Sequence, residues 1–247
     1  MKLRVALAQI NPTVGDLAGN AALITKYTDE AVAASADVIV FPEMVLTGYP
    51  VEDLALRASF RSASKKALAQ LVTALNPDIV SVVGYLDESS HGAPQNKVAI
   101  VYGSKVVATY TKRHLPNYSV FDEYRNFVPG TGTAIVHVAG VDVGLAICED
   151  VWQDHGPLED LAPGHPGLVV VINGSPFERD KDDVRIPLIS RQAQELNAHI
   201  AYVNLVGGQD DLVFDGDSFV VSNGGRVIAR SPRFSEHLLI ADMNLPE

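Results

Sequence analysis

Cysteine is nearly absent from this sequence, which has one, Cys148, among 247 residues. An intramolecular disulfide needs two cysteines and a thiolate zinc site needs several, so a single thiol excludes both. A chain of this length buries roughly three quarters of its unfolded surface when it folds. A hydrophobic core is therefore enough to hold the fold without covalent cross-links.

Positive charge is scarce as well. The 19 lysines and arginines are outnumbered by 30 aspartates and glutamates, which gives a formal net charge of −11. A binder of nucleic acids or anionic membranes needs a basic surface to displace counterions, so neither is expected as a partner.

Long apolar runs are missing too. No stretch reaches the ~18 residues of a membrane-spanning helix. The N-terminal segment turns polar at Gln9 and Asn11, too early for a secretory signal. We therefore expect a cytoplasmic protein.

The sequence does contain alternating strand-like and helix-like segments. Short apolar runs such as Val38–Phe41 and Leu168–Ile172 predict strands that are buried on both faces. Apolar residues at helical spacing near residues 68–75 and 186–196 predict amphipathic helices. This mixture indicates an α/β layered fold, and because no linker or repeat interrupts the chain, we expect one domain over residues 1–247.

Local signals add finer expectations. Asn20 is a candidate helix cap. Gly103-Ser104 and Ala139-Gly140 each lie between two strand-like runs and predict hairpin turns. Near the C-terminus we expect a continuous strand over Phe214–Ser222, followed by a turn at Asn223-Gly224.

Three chemically useful residues stand where apolar strands stop: Glu43, Lys112 and Cys148. In open α/β sheets, ligands bind just beyond the carboxyl ends of strands, so three such residues can meet at one site. Together they supply a general base, a fixed cation and a nucleophile, the minimum set for attack on an amide carbonyl.

Each residue alone has a more ordinary interpretation. A lone cysteine is commonly a small buried hydrophobe, and Lys112 fits a solvated basic loop. Glu149 and Asp150 fit a polar helix start, and Trp152 fits the core or an interface. The seven histidines show no ligand spacing, so no metal site is expected.

The flanking residues strengthen the catalytic interpretation. The segments Phe41-Pro42-Glu43, Tyr110-Thr111-Lys112-Arg113 and Ile147-Cys148-Glu149-Asp150 resemble the Glu–Lys–Cys triad of the nitrilase/amidase (carbon-nitrogen hydrolase) superfamily. The resemblance implies a four-layer α-β-β-α sandwich, in which two sheets pack face to face between outer helices.

Further segments narrow the resemblance. Leu46–Leu54, Lys112–Glu123 and Asn173–Phe177 are similar to the N-terminal glutaminase domain of glutamine-dependent NAD synthetases, and the similarity extends over essentially the whole chain. By this resemblance, Cys148 is the nucleophile that forms a γ-glutamyl thioester and releases ammonia. The other catalytic roles that it implies are a general base at Glu43, oxyanion stabilisation by Lys112 and the backbone N–H of Glu149, and orientation of the lysine and the amide by Glu123.

The resemblance also implies a substrate subsite. Its members are Tyr118, Ser175, Lys181 and Glu149. Lys181 suits the α-carboxylate of glutamine, and Arg179 and Arg185 are close rivals for that part.

The same resemblance implies which ligands would bind outside this chain. These residues contain neither a Ser-Gly-Gly ATP-pyrophosphatase loop nor a glycine-rich nucleotide fingerprint. No cofactor is therefore expected on this chain, and ATP and deamido-NAD would bind a synthetase domain that accepts the ammonia. We expect glutamine as the substrate and a homo-oligomer as the assembly, and the C-terminus directly after the last predicted strand favours a domain boundary. An excised domain, a truncated product and a free-standing protein all remain open.

Two other functions share these features. A stand-alone amidase acting on another small ω-amide or carbamoyl compound would use the same triad. A regulatory or assembly module without catalysis could keep the same fold.

Overall fold

A computed structural model of the chain describes residues 2–153, 156–179 and 182–245. The strands are β1 (Lys2–Gln9), β2 (Val38–Val40), β3 (Val80–Glu88), β4 (Pro94–Tyr102), β5 (Lys105–Thr111), β6 (Ile135–Val138), β7 (Val141–Ile147), β8 (Leu168–Asn173), β9 (His199–Asn204), β10 (Val206–Gln209), β11 (Leu212–Asp215), β12 (Phe219–Val221), β13 (Val227–Arg230) and β14 (His237–Asn244). The helices are α1 (Leu17–Ala33), α2 (Ala58–Ala74), α3 (Glu123–Asn126), α4 (Pro157–Leu161) and α5 (Asp182–Leu196).

Most strands belong to two six-stranded mixed sheets. The first has the order β14-β1-β2-β3-β4-β5, and the second has the order β13-β12-β9-β8-β7-β6. The neighbours β1, β2 and β3 are parallel, as are β7, β8 and β9. Each sheet therefore has three central strands whose carboxyl ends lie at one edge.

The strands that were predicted to be buried on both faces do face two cores. In β8, Leu168, Val170 and Ile172 point into the space between the sheets, whereas Val169 and Val171 point outward against helices. Every residue of β8 is buried because both faces are covered.

The outer layers are helical. Ile24 of α1 and Leu71 of α2 pack on the outer face of the first sheet. Leu161 of α4 and Ile189 of α5 pack on the outer face of the second sheet. Each fully buried side chain of this size contributes about 1.5–3 kcal/mol. The expected four-layer α-β-β-α sandwich is confirmed.

Both predicted hairpins are present. Tyr102 pairs with Lys105 across Gly103-Ser104, and Val138 pairs with Val141 across Ala139-Gly140. All four turn residues have positive φ angles between 46° and 84°, as a tight two-residue hairpin turn requires.

The helix cap was predicted wrongly. Helix α1 begins at Leu17, and the carboxylate of Asp16 accepts a hydrogen bond from the N–H of Gly19 at 2.8 Å. Asn20 lies inside the helix, where its side chain exchanges two hydrogen bonds with the backbone of Thr13. Asparagine favours caps, but here its buried amide fastens the loop that enters the helix.

The continuous strand over Phe214–Ser222 was also predicted wrongly. The chain breaks at Gly216, whose φ is +72° and where a Cβ atom would lie 2.2 Å from the side chain of Gln9. Strand β11 pairs with β10 in a separate hairpin, and β12 joins β9 in the second sheet. The backbone turn at this glycine divides one apolar run into two strands.

Among the described residues, no helix has both the length and the apolar character that crossing a bilayer demands.

Candidate active site

Glu43 lies just past β2 and is completely buried. Its Oε1 accepts hydrogen bonds from Lys112 Nζ at 2.8 Å and from Asn96 Nδ2 at 2.7 Å. Its Oε2 accepts one from the backbone N–H of Gly174 at 2.7 Å. Because Gly174 follows β8, this carboxylate joins the carboxyl-terminal edges of the two sheets.

A glycine permits the close approach of the Glu43 segment to β3. A Cβ atom on Gly84 would lie 2.4 Å from the backbone nitrogen of Met44 and 2.5 Å from the carbonyl oxygen of Pro42. Any larger residue would push the segment away from the sheet, so Gly84 fixes the depth at which Glu43 sits.

Lys112 follows β5 and is also fully buried, with its ammonium between two carboxylates. Nζ lies 2.8 Å from Glu43 Oε1 and 2.8 Å from Glu123 Oε2. Burial alone would lower the pKa of Lys112, but the charges of Glu123 and Glu43 outweigh it and raise the pKa well above its usual value. The side chain is therefore a permanent cation.

Glu123 is the first residue of α3 and accepts a hydrogen bond from the Tyr49 hydroxyl at 2.9 Å. Burial raises the pKa of Glu123 to about 7, against the opposing effect of Lys112, and the charge of Glu43 adds to the rise. The Tyr49 hydrogen bond favours the ionised form. Burial is therefore the main reason that Glu123 is harder to ionise than an exposed carboxylate, and the neighbouring charge of Glu43 adds to it.

Cys148 directly follows β7 and opens a short 3₁₀ turn over Cys148–Val151. Its φ of +46° lies in the left-handed region, which is uncommon for a residue with a side chain and is found where a site constrains the backbone. Burial and then the charge of Glu43 raise the pKa of the thiol well above its usual value, while Lys112 opposes them. The resting thiol is therefore protonated, and reaction requires a base to remove its proton.

Cys148 lies at a cavity of about 450 Å³. The cavity is lined by Tyr118, Phe121, Cys148, Glu149, Trp152, Ser175, Glu178, Arg179 and Val184. The structure thus brings the predicted substrate residues Tyr118, Glu149 and Ser175 together around the thiol. Trp152, assigned to the core or an interface, packs against the core on the outer face of the second sheet and also lines the cavity.

One side of the cavity is held by a carboxylate. Glu149 Oε2 accepts a hydrogen bond from the Tyr118 hydroxyl at 2.8 Å, and Oε1 accepts one from Gln153 at 2.6 Å. Glu149 is nearly inaccessible, whereas the Tyr118 side chain is half exposed. A buried carboxylate beside a half-exposed phenol is suited to a cationic group on a ligand.

Another part of the cavity wall, at Ser175, is held by the loop after β8. The Ser175 N–H donates to Asn204 Oδ1 at 2.9 Å, and Asn204 Nδ2 donates back to the Ser175 carbonyl at 3.0 Å. Asn204 ends β9 beside Asn173, which ends β8. Both backbone groups of Ser175 are therefore fixed by a neighbouring strand.

The three candidate cations for a carboxylate have different surroundings. Arg185 is fully buried and donates to both oxygens of Asp215, at 2.9 and 3.1 Å, and to the Ser175 carbonyl at 3.1 Å. It supports the loop and is not open to a ligand. Arg179 lines the cavity, and Lys181 lies outside the described residues.

Four buried residues escaped the sequence prediction: Asn96, Tyr49, Asn204 and Asp150. Asp150 had been read as part of a polar helix start, yet it is fully buried and accepts four hydrogen bonds. Its position two residues after Cys148 was the available signal. Tyr49 lies in the Leu46–Leu54 segment that carried the resemblance, although no role was assigned to it. Asn96 and Asn204 come from distant segments and gave no signal.

Within the parts of the chain that are described, no group of three or more histidine, cysteine, aspartate or glutamate side chains could hold a metal ion. A thiol at the cavity, with a buried carboxylate and a buried cation whose charges act on it, suits attack on a carbonyl carbon.

Comparison with known proteins agrees with this chemistry. The model of the family described as carbon-nitrogen hydrolase matches residues 4–247. The chain belongs to this family. A carbon-nitrogen hydrolase acts on amide-type bonds, which is the reaction that the cavity suits.

Longer relatives of this carbon-nitrogen hydrolase are named glutamine-dependent NAD(+) synthetase. The protein from Acinetobacter baylyi is 37% identical over 99% of this chain and 44% of its own length. The protein from Xylella fastidiosa is 44% identical over 97% of this chain and 44% of its own length. The chain thus spans less than half the length of the curated relatives it matches.

Solved structures share the fold. The glutamine-dependent NAD+ synthetase of Acinetobacter baumannii, solved with adenosine diphosphate, has a TM-score of 0.95 at 38% identity, over 99% of this chain and 46% of that one. An amidase from Nesterenkonia sp. has a TM-score of 0.86 at 23% identity, over 98% of this chain and 90% of that one.

Proposed function

We propose that this carbon-nitrogen hydrolase is a glutaminase that hydrolyses the side-chain amide of glutamine and releases ammonia. The observation that carries the proposal is the buried ammonium of Lys112 between Glu43 and Glu123, next to a thiol that opens onto a cavity. The names of the longer relatives support glutamine as the substrate.

In the first half of the reaction, Glu43 takes the proton from Cys148 Sγ, and the thiolate attacks the amide carbon. The oxyanion that develops accepts hydrogen bonds from Lys112 Nζ and the backbone N–H of Glu149. A donor aimed at such an oxygen is worth about 3 kcal/mol. Glu43 then passes its proton to the leaving nitrogen, the C–N bond breaks, and ammonia departs from a γ-glutamyl thioester.

In the second half, Glu43 removes a proton from water, which attacks the thioester carbon. The C–S bond breaks, the sulfur regains the proton and glutamate is released. Glu123 accepts from Tyr49 and from Lys112, so it holds the lysine in place for both halves.

Recognition of glutamine would use both parts of the cavity wall. The carboxylate of Glu149 and the hydroxyl of Tyr118 suit the α-ammonium group, and Ser175 suits the polar main-chain atoms of the ligand. Arg179 or Lys181 would pair with the α-carboxylate. A simple amide lacks both charged groups and would forgo these contacts.

The ammonia would serve a synthetase domain that makes NAD from deamido-NAD. That domain, and not this chain, would bind ATP and deamido-NAD. The relatives' names and their greater length support this partner. Assembly as a homo-oligomer remains part of the proposal.

The test compares ammonia and glutamate release from glutamine by the wild-type chain and by Cys148→Ala, with and without an added synthetase domain from a relative. We expect stoichiometric release by the wild type and none by the variant. An electrophilic glutamine analogue should attach one molecule of label per chain, and excess glutamine should protect Cys148 from labelling. Equal release by both proteins would overturn the proposal.

A second candidate is a stand-alone amidase, because the same base, cation and thiol would attack any small amide that enters the cavity. A panel of glutamine, asparagine, propionamide and a carbamoyl amino acid separates the two. Preference for propionamide over glutamine would favour the amidase. A chain that turns over none of them and is not labelled at Cys148 would be a non-catalytic module.

A further inference from the structure

The Asp150 carboxylate accepts four hydrogen bonds in a fully buried position. Oδ1 accepts from two successive backbone N–H groups, Arg113 at 3.1 Å and His114 at 2.9 Å. Oδ2 accepts from the Tyr110 hydroxyl at 2.7 Å and from the N–H of Ile147 at 3.0 Å.

Three of these donors flank Lys112 in the sequence, and the fourth precedes Cys148. Tyr110 comes two residues before Lys112, and Arg113 and His114 directly follow it. The fourth donor, Ile147, directly precedes Cys148. Lys112 leaves the first sheet and Cys148 leaves the second, so one carboxylate holds the exits of both strands.

The contacts of Asp150 point to a structural role. Each oxygen accepts two hydrogen bonds, and three of the four donors are backbone N–H groups, so the carboxylate is committed to holding the chain. Burial raises the pKa of Asp150, although the hydrogen bonds from His114 and Tyr110 oppose it. The residue acts through its neighbours.

We propose that Asp150 is a positioning residue that sets the distance between the Lys112 ammonium and the Cys148 thiol. The inference rests on the proposed function, which makes Cys148 the nucleophile and Lys112 its cation. A shift of about 1 Å between reacting groups can cost on the order of a hundredfold in rate.

The substitution Asp150→Asn exposes this role because it keeps the shape and loses one acceptor atom. An amide nitrogen cannot accept from the N–H of Ile147, so at least one buried donor is left without a partner. We expect the Ile147–Cys148 segment to move away from the loop that carries Lys112.

The experiment measures alkylation of the single thiol by iodoacetamide, followed by intact mass between pH 6 and 10 (about the window in which thiols titrate). Iodoacetamide needs no glutamine subsite. Because a nearby cation lowers a thiol pKa, we expect Asp150→Asn to move the profile to higher pH and to slow labelling at neutral pH by about tenfold, equal to one pKa unit. Lys112→Gln serves as the reference for a lost cation and should move the profile the same way.

Asp160→Asn is the matched control. Asp160 pairs with the side chain of Arg113, whereas Asp150 accepts from its backbone, and the Asp160 side chain is 54% exposed. Its loss should leave the alkylation profile within about twofold of wild type, as expected for a surface ion pair. Tyr110→Phe removes one hydrogen bond from Asp150 and should give a smaller shift in the same direction.

The outcomes are separable. If Lys112→Gln shifts the profile and folded Asp150→Asn does not, the positioning role is overturned and the proposed function stands. If Lys112→Gln itself alkylates like wild type, the cation does not act on the thiol and the positioning role is overturned, whereas the proposed function is decided separately by ammonia release. Should Asp150→Asn not fold, Tyr110→Phe decides: a lowered melting temperature with an unmoved profile means a structural role alone.

Discussion

The Lys112 ammonium lies 2.8 Å from Glu43 Oε1, and neither side chain is accessible to solvent. Glu123 stands on the other side of the same ammonium, so two carboxylates share one cation in the interior. Neutral donors on Gly174, Asn96 and Tyr49 complete the arrangement. Removing the carboxylate of Glu43 and removing the ammonium of Lys112 should therefore change stability by different amounts.

Glu43→Gln should abolish chemistry and cost about 1–3 kcal/mol of stability, because its amide nitrogen must face one buried donor. The variant keeps the shape of the side chain, and Lys112 retains Glu123, so the main loss is the base, which is worth about 10²–10⁴ in rate. Lys112→Met leaves two buried carboxylates unpaired and should lower the free energy of unfolding by about 3–5 kcal/mol. Urea unfolding and initial rates of ammonia release measure the two effects.

A surface pair supplies the control for these two variants. Glu195 lies 3.9 Å from Arg191 with more than half of each side chain exposed, and Glu195→Gln should change stability by less than about 1 kcal/mol. Equal destabilisation by Glu43→Gln and Lys112→Met would contradict the asymmetry that we expect.

Stability should depend on pH through Glu123. Its folded pKa of about 7 lies above the usual value of 4.5, so the folded protein binds more protons than the unfolded chain between these values. The free energy of unfolding then falls as the pH rises through this window. Relative to Glu123→Gln, which cannot titrate, the wild type should lose stability from pH 4.5 to 7, as measured by urea unfolding across that range. A constant difference between the two proteins would refute the shift.

Gly174→Ala should damage the site through crowding. A Cβ atom there would lie 2.7 Å from the ring of Tyr49, while the Gly174 N–H donates to Glu43. Overpacking of this kind costs about 1–3 kcal/mol, and the displaced N–H should also lower kcat. Gly132→Ala is the control, because nothing lies within 4 Å of its added Cβ. Differential scanning calorimetry and rate assays should separate the two variants clearly.

Arg179→Gln should weaken glutamine binding with little effect on chemistry. If Arg179 pairs with the α-carboxylate, its loss raises KM by about tenfold or more, in line with about 1.5–3 kcal/mol for a charged hydrogen bond, and leaves kcat nearly unchanged. Lys181→Gln is measured in parallel, and Arg191→Gln on the exposed face of α5 is the control. If only Lys181→Gln raises KM, the assignment passes to that residue.

The sequence was sufficient where the chemistry follows local pattern. Glu43, Lys112 and Cys148 were predicted to meet because each ends a strand. The first sheet does bring Glu43 and Lys112 into contact, and the second brings the thiol close enough for their charges to act on it. Strands such as β8 were readable because burial on both faces leaves a continuous apolar run.

The remaining features depend on contacts between distant segments. Asn96 and Gly174 reach Glu43 across separations of 53 and 131 residues, which no spacing pattern encodes. Arg185 was a candidate for binding the substrate carboxylate because of its charge. Its guanidinium instead donates to Asp215 and to the Ser175 carbonyl, a contact that the sequence does not reveal. The prediction of Asn20 as a helix cap was wrong because capping propensity alone does not show that Asp16 already caps the helix.

The bond from the Gly174 N–H to Glu43 has a consequence for how the molecule opens. It crosses from one sheet to the other, as does the bond from Tyr110 to Asp150. Separating the sheets would expose the Lys112–Glu43 pair and part it from Cys148 in the same event, so a partly opened sandwich retains no catalytic centre. Loss of activity during unfolding should therefore coincide with loss of tertiary packing, because the contacts that join the two sheets lie at the catalytic site.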